Sequence, residues 1–469
     1  MTISETAAKI RSGELKAVDL AAEHLKAAHT TGKELNAFIT VIDQAIERAK
    51  QIDEMVARGE DPGVLAGIPC TVKDVIMTKD IRTTASSRLL ENFIAPYSAT
   101  AVERIEAAGA VIIGKTNSDP FAFGGSGENS GFGPALNPLD RERVPGGSSS
   151  GAAAAQAAGI GMFALGTDTG GSVRQPSAFV GVTGFKPTYG RNSRYGLIAM
   201  ASSFDTVGVL GNSVEDVALV EEVLAGKDSN DATTYDMPVP AYSRDLKESV
   251  SGLRIAVPEE YFSEGIEPLV EQRVEEALEK YRKAGATVER VSLPILKYAI
   301  AMYYVLVPSE ISSNMARYDG VRFGHKDFAD YDENLRKTRG AYMEDEVKRR
   351  VMIGTYALSA GYADQFYNTA LKVRVKLTKE IETVFKSYDL IAGPTAPSVA
   401  FKLGELVNNL LQMYLSDIYT VTANLTGCPA ISIPCGMGAG DMPVGLQLMA
   451  KRFDEQTLFN AAHFYQTSR

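Results

Sequence analysis

The sequence predicts an α/β fold, with a mixed central β-sheet covered on both faces by α-helices. Three features point to it. Short apolar runs of strand length alternate with amphipathic stretches of helical length. Glycines stop the helical stretches just before the apolar runs, as Gly109 does. A glycine- and serine-rich middle from Gly124 to Gly190 is interrupted by apolar segments that need burial.

Taken in order, residues 4–59 form an N-terminal helical region, with amphipathic stretches near Val18–Ala28 and Val41–Ala57. Gly67-Ile-Pro-Cys-Thr-Val72 is a short strand that delivers Lys73 and Asp74. Thr100–Ala108 is a helix and Ala110-Val-Ile-Ile113 a buried strand. The middle carries glycine clusters at Gly124–Gly127, Gly146–Gly151 and Gly170–Ser172, separated by the apolar segments Ala152–Ala158 and Met162–Leu165. A linker would not contain such segments; glycines threaded through a core signal close backbone approach and exposed amides. Residues 225–252 are polar and form an exposed excursion. Leu253–Val257 and Ala286–Val291 are strands flanking a helix over Val270–Ala284, and a helical region over Glu344–Phe385 breaks near Gly361. Strands at Asp389–Gly393 and Val444–Met449 follow. We expect one domain over 1–469: the helical region (about 1–59), a core at about 66–210 and a C-terminal α/β portion at about 253–469.

Composition excludes several functions. The net charge of −10 argues against this chain gripping a nucleic-acid backbone by itself. Cys70, Cys428 and Cys435 are odd in number and lie in apolar surroundings, so buried free thiols are expected. His24, His29, His325 and His463 show no zinc-ligand spacing, and no metal site is expected. No apolar run reaches membrane-spanning length and Met1-Thr-Ile-Ser-Glu-Thr6 has no signal-peptide character, which reads as a cytoplasmic protein without a membrane partner. Gly109-Ala-Val-Ile-Ile-Gly-Lys-Thr116 fits the G-x-x-x-x-G-K-[ST] pattern of a phosphate-binding loop. Its four variable residues are strand formers rather than a loop, and no clear helix follows, so the match is rejected.

Chemistry concentrates elsewhere. Hydrolysis of a carboxamide needs a nucleophile, a base, an acid for the leaving ammonia and donors for the oxyanion. Four scattered histidines offer no base, but a buried lysine can serve once desolvation brings its pKa towards neutrality. Lys73, following an apolar strand, is such a lysine. Ser148 lies near the start of an alanine-rich helix. Twenty-four residues later, Ser172 ends the run Thr167-Asp-Thr-Gly-Gly-Ser. The amides of Thr169, Gly170 and Gly171 could point into one cavity there, as an oxyanion hole beside a hydroxyl.

The stretches Val144–Gly151 and Ala164–Pro176, with Gly67–Asp74, resemble the amidase signature family, and Lys73, Ser148 and Ser172 stand at that family's separations of 75 and 24 residues. The resemblance implies that Ser172 is the acyl-forming nucleophile, that Ser148 relays protons from a cis peptide bond, and that neutral Lys73 is the base. Nearly the whole chain, from Leu35 to Leu458, is similar to the A-subunit branch of glutamyl-tRNA(Gln) amidotransferases. That branch implies glutamine as substrate, held by Tyr303 (or Tyr304), Arg350 and Asp417: the arginine pairs with the α-carboxylate and the aspartate with the α-ammonium. It also implies B and C subunits as partners, Glu-tRNA(Gln) reached through the B subunit, and no cofactor in this chain, with ATP and Mg in the partner. A free-standing amidase for other small amides is the alternative. Ser118, Pro120, Phe123, Gly125 and Gly127 stand where the family has Met, Glu, Met, Ser and Thr. Ser150 and Ala152 stand where it has Gly and Ser, near the expected substrate pocket.

Overall fold

The computed structural model describes residues 1–262, 265–326 and 330–468. Among them, eleven strands form one sheet: β1 (Phe38–Val41), β2 (Pro69–Lys73), β3 (Val111–Thr116), β4 (Phe163–Thr167), β5 (Thr183–Lys186), β6 (Val207–Gly211), β7 (Arg254–Pro258), β8 (Thr287–Val291), β9 (Leu390–Pro394), β10 (Ala430–Met437) and β11 (Pro443–Ala450). The spatial order is β1-β3-β2-β4-β6-β5-β10-β11-β9-β7-β8. Two parallel blocks, β3-β2-β4 and β9-β7-β8, flank an antiparallel centre, so the sheet is mixed.

Every residue of β2, β3, β4, β5, β6, β9 and β11 is buried, on both alternating faces, which requires cover on each side of the sheet. The helix Ser150–Ala157 packs on β2, β3 and β4, and the helix Arg174–Val180 on β5, β10 and β11. Only the two edges are wetter: β1 is half-buried throughout and β8 is largely exposed. The three cysteines are buried free thiols. No helix among the described residues is long and apolar enough to cross a membrane.

The phosphate-loop look-alike is strand β3, and its Lys115 is wholly buried with its amine donating to the Ile76 carbonyl and to Thr83 Oγ1. Two expectations need correction. The helical region at 1–59 contains an edge strand, β1, where Phe38-Ile-Thr-Val41 pairs with β3 because β-branched and aromatic residues suit a half-buried pleat. The helical region over 344–385 is two helices, Asp345–Leu358 and Tyr367–Val384; Gly361, at φ +88°, sits in the break as expected.

Candidate active site

Strands β2, β3 and β4 run parallel and end at Lys73, Thr116 and Thr167, so their carboxyl ends lie side by side. In parallel sheets that edge is where ligands are received. Lys73 is wholly buried, and its Nζ lies 2.7 Å from Ser148 Oγ, 3.0 Å from Thr167 Oγ1 and 3.1 Å from Ser149 Oγ. Burial lowers its pKa to about 7, against the upward pull of Asp119, Asp168 and Asp205. A neutral amine has two N–H donors and one lone pair. With three hydroxyls around it, it can donate to two and take a proton from the third.

Ser148 occupies the turn before the helix Ser150–Ala157, and the Gly147–Ser148 peptide bond is cis. Glycine is required at 147 because a Cβ there would meet Ser126 N at 2.9 Å and Gly125 C at 3.0 Å. The Ser149 N–H donates to the Ser172 carbonyl at 3.1 Å, which ties the two serine turns together. Lys73, Ser148 and Ser149 expose no surface, whereas Ser172 keeps 8% of its own. Its hydroxyl makes no hydrogen bond among the described residues, so it is left facing accessible space.

The turn from Thr167 to Ser172 is gripped from below by a buried ion pair. Asp168 accepts from Arg174 Nη2 at 2.9 Å and Nε at 3.0 Å, from the Gly171 N–H at 3.0 Å and from the Val173 N–H at 3.2 Å. Burial alone would raise its pKa, but the charge and hydrogen bonds of Arg174 outweigh it and hold the carboxyl at about 2. Arg174 Nη1 also donates to Gln447 Oε1 and the Thr420 carbonyl, and its Nη2 to Asn424 Oδ1. The Gly171 N–H is thus occupied by Asp168. Among the described residues, no hydrogen bond uses the N–H groups of Thr169, Gly170 or Ser172, and these are the turn's free donors.

Tyr303 is buried against this turn: a Cβ on Gly170 would meet its ring, with Cζ at 2.5 Å. Its neighbour Tyr304 lines a cavity of about 240 Å³ together with Arg350 and Asp417. The Arg350 guanidinium lies 5.4 Å and 5.6 Å from the ring centroids of Tyr304 and Tyr414, and its Nε donates to Glu346 Oε1 at 2.8 Å. Its Nη nitrogens make no hydrogen bond among the described residues, which leaves a fork for a ligand carboxylate. At the same cavity, the Asp417 carboxylate accepts no hydrogen bond among the described residues; burial raises its pKa to about 7, with Arg350 pulling the other way. The Asp417 carbonyl accepts from the Thr420 N–H at 3.1 Å, and Thr420 Oγ1 donates to the Gly170 carbonyl at 2.6 Å, so the cavity wall and the serine turn are joined.

Of the positions that depart from the family pattern, Gly125 reaches this cavity; a Cβ there would sit 3.7 Å and 4.0 Å from the Asp417 carboxylate oxygens. Gly127 and Ser150 face each other, and a Cβ at Gly127 would strike the Ser150 Cβ at 2.5 Å. The side-chain volume absent at 127 is thus supplied by 150. Glu346, Tyr414, Asp119 and Arg174 join the site without a clear mark in the sequence. Only the Glu346-x-x-x-Arg350 spacing on a helix offers a signal.

A family model described as Amidase matches residues 19–459. The chain belongs to the amidase family. It is 50% identical over 466 residues to the A subunit of a glutamyl-tRNA(Gln) amidotransferase from Koribacter versatilis, covering 99% of this chain and 97% of that one. It is 48% identical to the protein of the same name from Carboxydothermus hydrogenoformans, covering 99% and 96%. Among solved structures, it superposes on the glutamyl-tRNA(Gln) amidotransferase A subunit of Thermotoga maritima with a TM-score of 0.80 at 42% identity, covering 96% of this chain and 90% of that one. The peptide amidase of Stenotrophomonas maltophilia superposes at TM-score 0.83 and 29% identity, covering 100% and 96%. The fold described above is therefore that of amidase signature enzymes, and this chain is an enzyme of that amidase class.

Proposed function

We propose that this chain hydrolyses the side-chain amide of glutamine through an ester on Ser172 and passes the ammonia to a partner that amidates Glu-tRNA(Gln). The carrying observation is the fully buried Lys73 amine, 2.7 Å from Ser148 Oγ and with its pKa near neutrality. In the first step Ser172 Oγ attacks the amide carbon. Its proton passes to Ser148 Oγ as the Ser148 proton passes to the Lys73 lone pair. The oxyanion is received by the free N–H groups of the turn, with Thr169 and Gly170 foremost. The proton then returns by the same path to the departing nitrogen, and ammonia leaves. Water, deprotonated by the same relay, attacks the ester and releases glutamate, which restores the Ser172 hydroxyl. Arg350 and Asp417 suit the two charges of an amino-acid substrate, one at each side of the cavity.

The names of the relatives at 48–50% identity support the tRNA-linked role, with B and C subunits as partners, tRNA contact left to the B subunit, ATP and Mg used there, and a cytoplasmic setting. The full-length likeness to a peptide amidase keeps a stand-alone amidase as the second reading. Both are tested by assaying glutamine hydrolysis with and without co-purified partners and charged tRNA. Hydrolysis enhanced by the partners supports the proposal. Equal activity of the isolated chain on simple amides supports the rival, and a Ser172→Ala chain that still releases ammonia overturns both.

A further inference from the structure

The cavity holding Arg350 and Asp417 carries a carboxylate to which neither the family resemblance nor the mechanism assigns a role. Glu128 lines it from the loop at 124–129, whose opposite end presents Gly125 to Asp417. Glu128 Oε1 accepts from the Gly404 N–H at 2.7 Å, which pins the side chain to the segment at 402–407. Glu128 Oε2 is buried and has no hydrogen-bond partner, and no ion pair reaches this carboxylate among the described residues. Leaving a charged oxygen buried and unpaired costs more than the roughly 1–3 kcal/mol of a neutral group, so such an atom calls for an explanation. The other acid low on the wall, Glu346, is different: it is saturated by Arg349, Arg350 and Tyr414. Asp417 is like Glu128, with no side-chain cation of its own among the described residues. The cavity therefore divides by charge. One side presents the Arg349 and Arg350 guanidiniums compensated by one carboxylate; the other presents two carboxylates without a cation.

We propose that Glu128 is a specificity-determining residue that, with Asp417, receives the ammonium group of the substrate, so that the cavity selects amides bearing a cationic amine. This rests on the proposed glutamine hydrolysis and deepens it. Asp417 alone could pair with an ammonium, but three N–H donors leave two unsatisfied in a buried site, and Glu128 Oε2 is an acceptor in need of one.

The test uses the chain with its co-purified partners and two substrates: glutamine, and glutaramate, which keeps the amide and the distal carboxylate but lacks the amine. Glu128→Gln retains a carbonyl oxygen for the Gly404 N–H while removing the charge. For charges separated by roughly a hydrogen-bonded distance in a partly buried site, the expected rise in KM for glutamine is about tenfold or more, with kcat nearly unchanged. The kinetics of glutaramate should be unchanged or improved. Equal loss on both substrates, or no change on either, overturns the proposal. Should Glu128→Gln fold poorly, Glu128→Asp serves as the second variant: it keeps the charge, and the ratio of kcat/KM for glutamine over glutaramate should stay above that of Glu128→Gln. Equality of the two ratios also overturns it. If the unmodified complex does not hydrolyse glutamine at all, the functional reading fails first, and the two failures are distinct.

Discussion

Replacing Arg174 with methionine probes how the sequence holds its oxyanion donors. The guanidinium is wholly buried and bonded to Asp168, Thr420, Asn424 and Gln447. The depressed pKa of Asp168, about 2 against an ordinary 3.8, marks a stabilisation of roughly 2 kcal/mol that is present at neutral pH. The sign follows from the direction: a carboxyl held below its unfolded value stabilises above that value and loses its contribution as the pH falls towards 2. Removing Arg174 forfeits this and strands a buried carboxylate, for a total cost of about 3–5 kcal/mol. For a chain of 469 residues the unfolding entropy is about 1 kcal/mol per degree, so the melting temperature should fall by about 3–5 °C. The turn should also loosen, because Asp168 fixes the Gly171 N–H, and displaced oxyanion donors cost about 10²–10³ in kcat. Differential scanning calorimetry and a coupled ammonia assay read the two effects. A melting point within about 1 °C of the unmodified protein together with unchanged kcat would refute the idea that this ion pair sets the turn.

Other perturbations follow the same geometry. Activity should rise with pH through about 7 as Lys73 loses its proton; Asp119→Asn, which removes the largest of the charges that raise that pKa, should move the rising limb to lower pH, and a limb that moves upward contradicts the assignment. Ser148→Ala, which cuts the relay beside Lys73, should lower kcat by about 10²–10⁴ while glutamine binding, read by calorimetry, persists. Gly170→Ala drives a methyl into the Tyr303 ring and should cost at least about 1–3 kcal/mol of stability, seen as a lowered urea midpoint. Gly127→Thr should be destabilising alone and rescued by Ser150→Gly, whereas additive effects in the double variant would show that the two positions are not packed against each other.

The residues legible from sequence are those whose neighbours in the chain reveal them. Lys73 can be read because an apolar strand delivers it, and the look-alike at 109–116 can be dismissed because Ala110-Val-Ile-Ile113 is strand rather than loop. The edge strand β1 escapes such a reading because four half-buried residues between helices leave no clean alternation. The helix Val214–Leu224 does carry a local signal, the capping residue Ser213 before an apolar run, beyond the elements predicted above. Arg174 and Glu128 are invisible for a different reason. Arg174 draws its partners from Asn424 and Gln447, and Glu128 from Gly404, each more than 240 residues away, and no local pattern reports such partners. Asp417 is legible only through the family resemblance, since the cavity that makes it a binding residue exists only once the loop at 124–129 meets the helix Asp345–Leu358.

The central claim is that Ser172 carries the acyl group. Quenching the complex in acid during turnover of glutamine and sequencing its peptides by mass spectrometry locates that group. A γ-glutamyl ester on Ser172, absent from Ser172→Ala, is the expected result. An adduct on Ser148 or Ser149, or steady turnover with no adduct even in a variant slowed at deacylation, would contradict it.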